Sequence, residues 1–199
     1  MKTFFINFFV FLTTIVQAQK FKNEVGNLNF LKGTTQMNVI FNYDNLKMMK
    51  ENFTESEYIE AHKKNLNEKE IGTGDFWVDQ WKSAKKLLWE PKFLTLLNKY
   101  SDNKIKYSLD NKDAKYTMIV DVVWLYPGWD AFMMKQPAKV TTNIKIVSTT
   151  NMQDVLYSVE SIDAPGNQFG SNFNNESRLA EGFAKTAKTL SKKISKITK

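Results

Sequence analysis

The sequence predicts an α+β domain: a largely antiparallel sheet of about five strands, helices packed mainly on one face, and a long amphipathic helix at the C-terminus. Three observations carry this. Two-residue alternation marks strands before and after a helical middle. A capping box, glycine pairs and a proline punctuate that middle. The last stretch repeats apolar residues at spacings of three and four.

Along the chain, residues 19–34 are polar, weakly patterned and read as an N-terminal arm, with residues 35–199 as one domain. Met37, Val39, Phe41 and Tyr43 alternate with Asn38, Ile40 and Asn42, a strand with one buried face. Thr54 and Glu57 form a capping box for a polar helix reaching about Asn67. Gly72 and Gly74 break it, and Asp75 is expected to cap a second helix with Trp77, Trp81, Ala84 and Leu88 on one face. Pro91 fits the first turn of a third helix, with Phe93, Leu97 and Tyr100 inward.

Strands return with Ile105, Tyr107 and Leu109. The strongest strand runs from Tyr116 to Tyr126, with Tyr116, Met118, Val120, Val122, Trp124 and Tyr126 sharing a face. Val140, Thr142, Ile144 and Ile146 form the next, and Val155, Tyr157 and Val159 the last, giving an antiparallel meander. Residues 164–175 read as a Gly/Asn-rich loop. The final helix places Leu179, Phe183, Ala187, Leu190, Ile194 and Ile197 on one face and Lys185, Lys188, Lys192, Lys193 and Lys196 on another.

Residues 1–18 have the three parts of a secretory signal. Lys2 supplies a basic start, Phe4 to Val16 an apolar core, and Val16-Gln17-Ala18 a small-residue exit before Gln19. Asn7, Thr13, Thr14 and Gln17 interrupt the core, so it falls short of the roughly 20 apolar residues of a membrane span. With no cysteine there is no acylation site and no disulfide, and the expected compartment is the periplasm or beyond. Net charge is +7, or +6 once Lys2 leaves with the signal, and almost all of it is lysine; Arg178 is the only arginine. That composition argues against nucleic acid as partner and leaves a solvated surface or a pull toward anionic lipid or polysaccharide.

The motif succession also resembles a family. Phe30-Leu31-Lys32-Gly33 precedes a strand ending in Asn42-Tyr43. Glu57-Tyr58-Ile59, the Trp77 and Trp81 segment, and Glu90-Pro91-Lys92-Phe93 with Leu97-Asn98 follow. Then come Lys115-Tyr116-Thr117, Tyr126-Pro127-Gly128-Trp129, Lys135-Gln136-Pro137-Ala138 and Ser177-Arg178-Leu179-Ala180-Glu181. In that order they resemble a group of exported Gram-negative domains of unknown function, across most of the chain. The resemblance implies export and an α+β fold and carries no catalytic residues.

Catalytic motifs are scarce. Absent cysteine removes thiolate chemistry and cysteine metal sites. The single histidine, His62, lies among Glu60, Lys63 and Lys64 on a polar helix and reads as structural or solvated. No metal ligand set and no cofactor motif is present. Three features rise above background. Trp124, Tyr126, Trp129, Phe132, Met133 and Met134 crowd a connection ending at Ala138; they fold onto the core or form an exposed docking patch. Asp121 is an acid inside an apolar strand and requires a partner, with Arg178 or lysine as candidates, or else takes part in catalysis. Asn172 and Arg178 stand at the start of the last helix, where Asn172, Asn174 or Asn175 caps it or an anion binds.

The leading expectation is therefore an exported, soluble, non-catalytic envelope protein that binds a protein, glycan or lipid component through the Trp124–Ala138 connection. The alternatives are a periplasmic carboxylate-dependent hydrolase using Asp121, or a carrier of an apolar ligand held between sheet and helices.

Overall fold

A computed structural model describes residues 19–131, 134–166 and 174–198. The elements are β1 (Lys20–Gly26), β2 (Gln36–Asn42), β3 (Lys47–Met48), β4 (Phe53–Thr54), α1 (Glu55–Lys69) and α2 (Thr73–Ala84). A π-helical turn at Lys85–Trp89 leads into α3 (Glu90–Lys99). After it come β5 (Lys106–Ser108), β6 (Tyr116–Tyr126), β7 (Trp129–Ala131), β8 (Met134–Gln136), β9 (Ala138–Ser148), β10 (Asn151–Gly166) and α4 (Asn175–Ile197).

The α+β class and the C-terminal helix stand, but the sheet differs from expectation. Among the described residues it is mixed, has eight strands, and its main path runs β1-β10-β9-β6-β2-β5. The β6, β9 and β10 strands are the expected antiparallel meander. However, β2 runs parallel to both β5 and β6, and β3 parallel to β6. The helices between β2 and β5 form the crossover that parallel pairing needs. Alternation in a strand reveals its buried face but not its neighbour's direction. The residues read as an arm form β1, an edge strand antiparallel to β10, with Phe21 packed on the core. The first residues expected in the loop from Ala164 are strand, because β10 continues through Gly166; residues 167–173 of that loop lie outside the described residues.

The core lies where the sheet meets α3 and α4. Met118, Val120, Ile144, Ile146 and Tyr157 from the sheet meet Phe93, Leu97, Leu179, Phe183, Leu190 and Ile194 from the helices. All six residues assigned to the inner face of α4 are buried or packed on the core. The capping box of α1 forms as expected: Glu57 N–H donates to Thr54 Oγ1 at 3.3 Å, and Thr54 N–H to Glu57 Oε2 at 2.7 Å.

Helix α2 starts earlier than expected. Its cap position is Gly72, at φ 90°, a left-handed geometry that glycine adopts without strain. Asn67 of α1 supplies the missing acceptor, taking N–H bonds from Gly72 at 3.1 Å and Gly74 at 2.8 Å. Asp75 instead sits in the first turn, paired with Lys63 at 2.7 Å.

The π turn changes which side chains face inward. Pro91 has no N–H for the helix, and its ring would crowd the carbonyl four residues back. The widened turn, closed by Glu90 N–H to Lys85 C=O, accommodates it. The extra residue rotates the helix face. Trp89 becomes fully buried, while Leu88, expected inward, is 40% exposed and Leu87 71% exposed.

Two glycines let α4 close on the sheet. A Cβ on Gly182 would lie 2.5 Å from Val140 Cγ2, and one on Gly166 1.9 Å from the Arg178 carbonyl oxygen. Gly182→Ala carries a clash offset by about 1 kcal/mol of helix propensity. Gly166→Ala meets backbone and gains nothing, so it should cost about 3 kcal/mol or more. Urea unfolding of the two variants should rank Gly166→Ala well below Gly182→Ala in stability.

Candidate functional site

The side chains singled out by sequence divide across several places. Trp124 and Tyr126 do not share the inner face with Val122. The pairing of β6 with β9 shifts register between Val122 and Trp124, a bulge that reverses the alternation beyond it. Leu125 becomes the core residue at 0% exposure. Trp124 is half-buried, donates its indole N–H to the Met49 carbonyl at 2.8 Å and stacks with Tyr126 at 6.1 Å between centroids. Tyr126 is buried. These two rings are thus part of the fold.

Trp129 is different. It stands on β7, which among the described residues pairs with β8 in a two-stranded sheet, and is 41% exposed. The base of this hairpin is held firmly. Gly128 takes φ 69°, and a Cβ there would collide with the Gln136 carbonyl at 2.3 Å. Arg178 of α4 donates from Nε to the Pro127 carbonyl at 3.0 Å and from Nη2 to the Gly128 carbonyl at 3.4 Å. The backbone of Met134 belongs to β8. Phe132, Met133 and Asn172 lie outside the described residues.

Asp121 projects from the face of β6 opposite Val120 and Val122 and is part-exposed. Its partners are Asn42 Nδ2 at 3.2 Å and Lys145 Nζ at 3.3 Å, neighbours on the adjacent strands β2 and β9. Of the two partner types expected for it, lysine is the one found; Arg178 serves the hairpin. His62 is half-buried between rings, 4.3 Å from Trp77 and 5.7 Å from Tyr58 between centroids. Burial, then Lys69, lowers its pKa. Asn174 caps α4, its Oδ1 accepting from Ser177 N–H at 2.9 Å.

The N-terminal end of α4 holds more than the sequence suggested. Beside it, an open groove of about 450 Å³ runs along α2 and the π turn. Phe76, Leu87 and Leu88 give it an exposed apolar wall, Asp79 and Asn174 contribute polar groups, and Glu176 lies beneath its floor. Arg178, two residues beyond Glu176, holds the hairpin. One helix end therefore builds both the groove and the base beneath Trp129.

Glu176 is a buried carboxylate, 1% exposed. Among the described residues, neither carboxylate oxygen has a partner at full hydrogen-bonding geometry. Burial raises its pKa; its own backbone N–H, the Trp77 side chain and Arg178 ease the charge without cancelling that effect. The residue is fixed by its backbone, since its carbonyl accepts the Trp89 indole N–H at 2.9 Å. Among the described residues, no three His, Asp or Glu side chains gather into a metal-binding set. Two signals could have found this region: the Phe76-Trp77 pair, which cannot both face inward, and Pro91 inside a helical pattern. The burial of Glu176 left no mark in the sequence.

The raised pKa has a defined consequence for stability. Between the ordinary glutamate value and the raised one, the folded chain binds more protons than the unfolded chain. This group's contribution is therefore full below the ordinary value and is lost as pH rises through the raised one. Glu176→Gln should match the native protein in melting temperature near pH 4 and exceed it at pH 8, by about 3 °C, measured by thermal unfolding at both values.

No family model and no curated protein matches the chain. Among solved structures it is similar to the PelC dodecamer from Paraburkholderia phytofirmans, at 12% identity and a TM-score of 0.42, with 91% of this chain and 98% of that chain covered. It is also similar to a single-substitution variant of that dodecamer, at 9% identity and a TM-score of 0.37, covering 91% of this chain and 97% of that one.

Proposed function

We propose that this chain is an exported domain of the cell envelope that works as a non-catalytic binding module. Its docking surface is the N-terminal end of α4, with Trp129 on one side and the Phe76, Leu87 and Leu88 groove on the other. The observation that carries the reading is the exposure of these large apolar side chains, 67% for Phe76 and 71% for Leu87, around one rigid helix end. Clustered exposed apolar groups mark interaction sites far more often than scattered ones do. A single anchored tryptophan is also a common energetic centre of an interface.

The geometry favours binding over hydrolysis. A carboxylate hydrolase needs two acids open to substrate. Glu176 is enclosed, and Asp121 faces its lysine and asparagine neighbours on another part of the sheet. Export rests on the basic, apolar and small-residue sequence of residues 1–18. Cleavage after Ala18 leaves β1 whole, since that strand begins at Lys20. Among the described residues, no helix is long and apolar enough to cross a membrane.

Two measurements test this. Mass determination of the protein isolated from its native cells should give a chain beginning at Gln19; a chain beginning at Met1 in the cytosol removes the envelope role. Trp129→Ser and Leu87→Ser should each reduce capture of envelope partners by tenfold or more, with the melting temperature within about 2 °C of the native protein. A large loss of stability would assign these residues to the core instead.

A further inference from the structure

The protein's positive charge is concentrated in one place. From Gly182 to Lys199 the chain has six lysines and no acid, against a net charge of +7 for the whole sequence. Five of them, Lys185, Lys188, Lys192, Lys193 and Lys196, line a groove of about 370 Å³ with Phe21 of β1. Lys185, Lys188, Lys192 and Lys196 fall three or four residues apart, so neighbours along the helix repel one another.

Internal pairing accounts for little of this charge. Lys193 pairs with Glu24. Lys188 and Lys192 lie over the Tyr100 ring, at 5.0 and 5.1 Å from its centroid. Their field shows in the Tyr100 phenol, whose pKa is lowered first by Lys188 and then by Lys99 and Lys192. Lys185 and Lys196 have no ion pair among the described residues. The helix dipole favours cations only within the last turn, which covers Lys196 but not Lys185, Lys188 or Lys192.

We propose that the groove between β1 and the second half of α4 binds an anionic polysaccharide, its acidic groups set along the lysine row. From Lys185 to Lys196 the row spans about 16 Å. Lysines act as point charges without a fixed bonding plane, which suits a flexible polymer with spaced charges. A bilayer surface fits less well. An interfacial helix inserts apolar side chains, and those of α4, from Leu179 to Ile194, are already buried against the sheet. Single-stranded nucleic acid needs exposed aromatic platforms, whereas Phe21 is packed on the core. This site is at the far end of α4 from the docking surface and stands whether or not that surface binds a partner.

The test is calorimetric titration of the purified protein with dextran sulfate and with neutral dextran. Dextran sulfate should bind at low salt, weaken as salt rises, and far exceed neutral dextran. Lys185→Glu with Lys192→Glu, both exposed positions, should weaken binding roughly tenfold or more, and the Gln versions less. A control with the same charge change, Lys50→Glu with Lys112→Glu on loops of other elements, should change it less than about twofold. Equal loss in both pairs would reduce the effect to net charge and overturn the proposal. So would absent binding of dextran sulfate, or tighter binding of oligothymidylate or of phosphatidylglycerol vesicles.

Discussion

Pro91 cannot donate a backbone hydrogen bond, yet it lies inside a helical run from Thr73 to Lys99. A regular helix there would crowd its ring against a carbonyl. The π turn over Lys85–Trp89 removes that conflict, and much of the candidate surface follows from it. With one extra residue in the turn, Trp89 swings inward, stacks on Phe183 at 5.5 Å between centroids and donates its indole N–H to Glu176. Leu87 and Leu88 swing outward. The same step joins the ring chain Trp77, Trp81 and Trp89 to α4. Inner packing and outer apolar wall are two sides of one backbone adjustment.

Much of the element order was legible because its signals are local. The ends of β6 fall at the expected residues, the Thr54–Glu57 box caps its helix, and the inner stripe of α4 is buried as its spacing requires. What was hidden depends on distant partners. The parallel pairing of β2 with β6 is a property of two strands about eighty residues apart. The edge strand β1 gains its pairing only from β10, so its own polar sequence reads as an arm. The bulge after Val122 is a mismatch in length between β6 and β9, and one residue of slip sends Trp124 to the other face.

The candidate site was legible in the same uneven way. Sequence singled out the aromatic connection but left open whether it folds onto the core or stands exposed; Trp129 is exposed, while Trp124 and Tyr126 are built into the fold. Arg178 was noticed as a lone guanidinium near a helix start. Its task of holding two carbonyls fifty residues away depends on contacts that spacing cannot show. Glu176 was not singled out, because an acid in the first turn of a helix is ordinary there. Only the enclosure by neighbouring elements makes it costly.

The pairing of β1 with β10, and its contacts to α4, tie together segments far apart in the chain. Gln19 accepts from the Thr189 hydroxyl at 2.7 Å, and Glu24 meets Lys193. A polypeptide emerging from a narrow conduit, start first, therefore cannot close this seam until almost its whole length has come through. Until then the outer border of β10 waits with unfilled backbone bonds, which makes the interval before closure the period when the chain is most open to a chaperone or to an unwanted strand from another molecule.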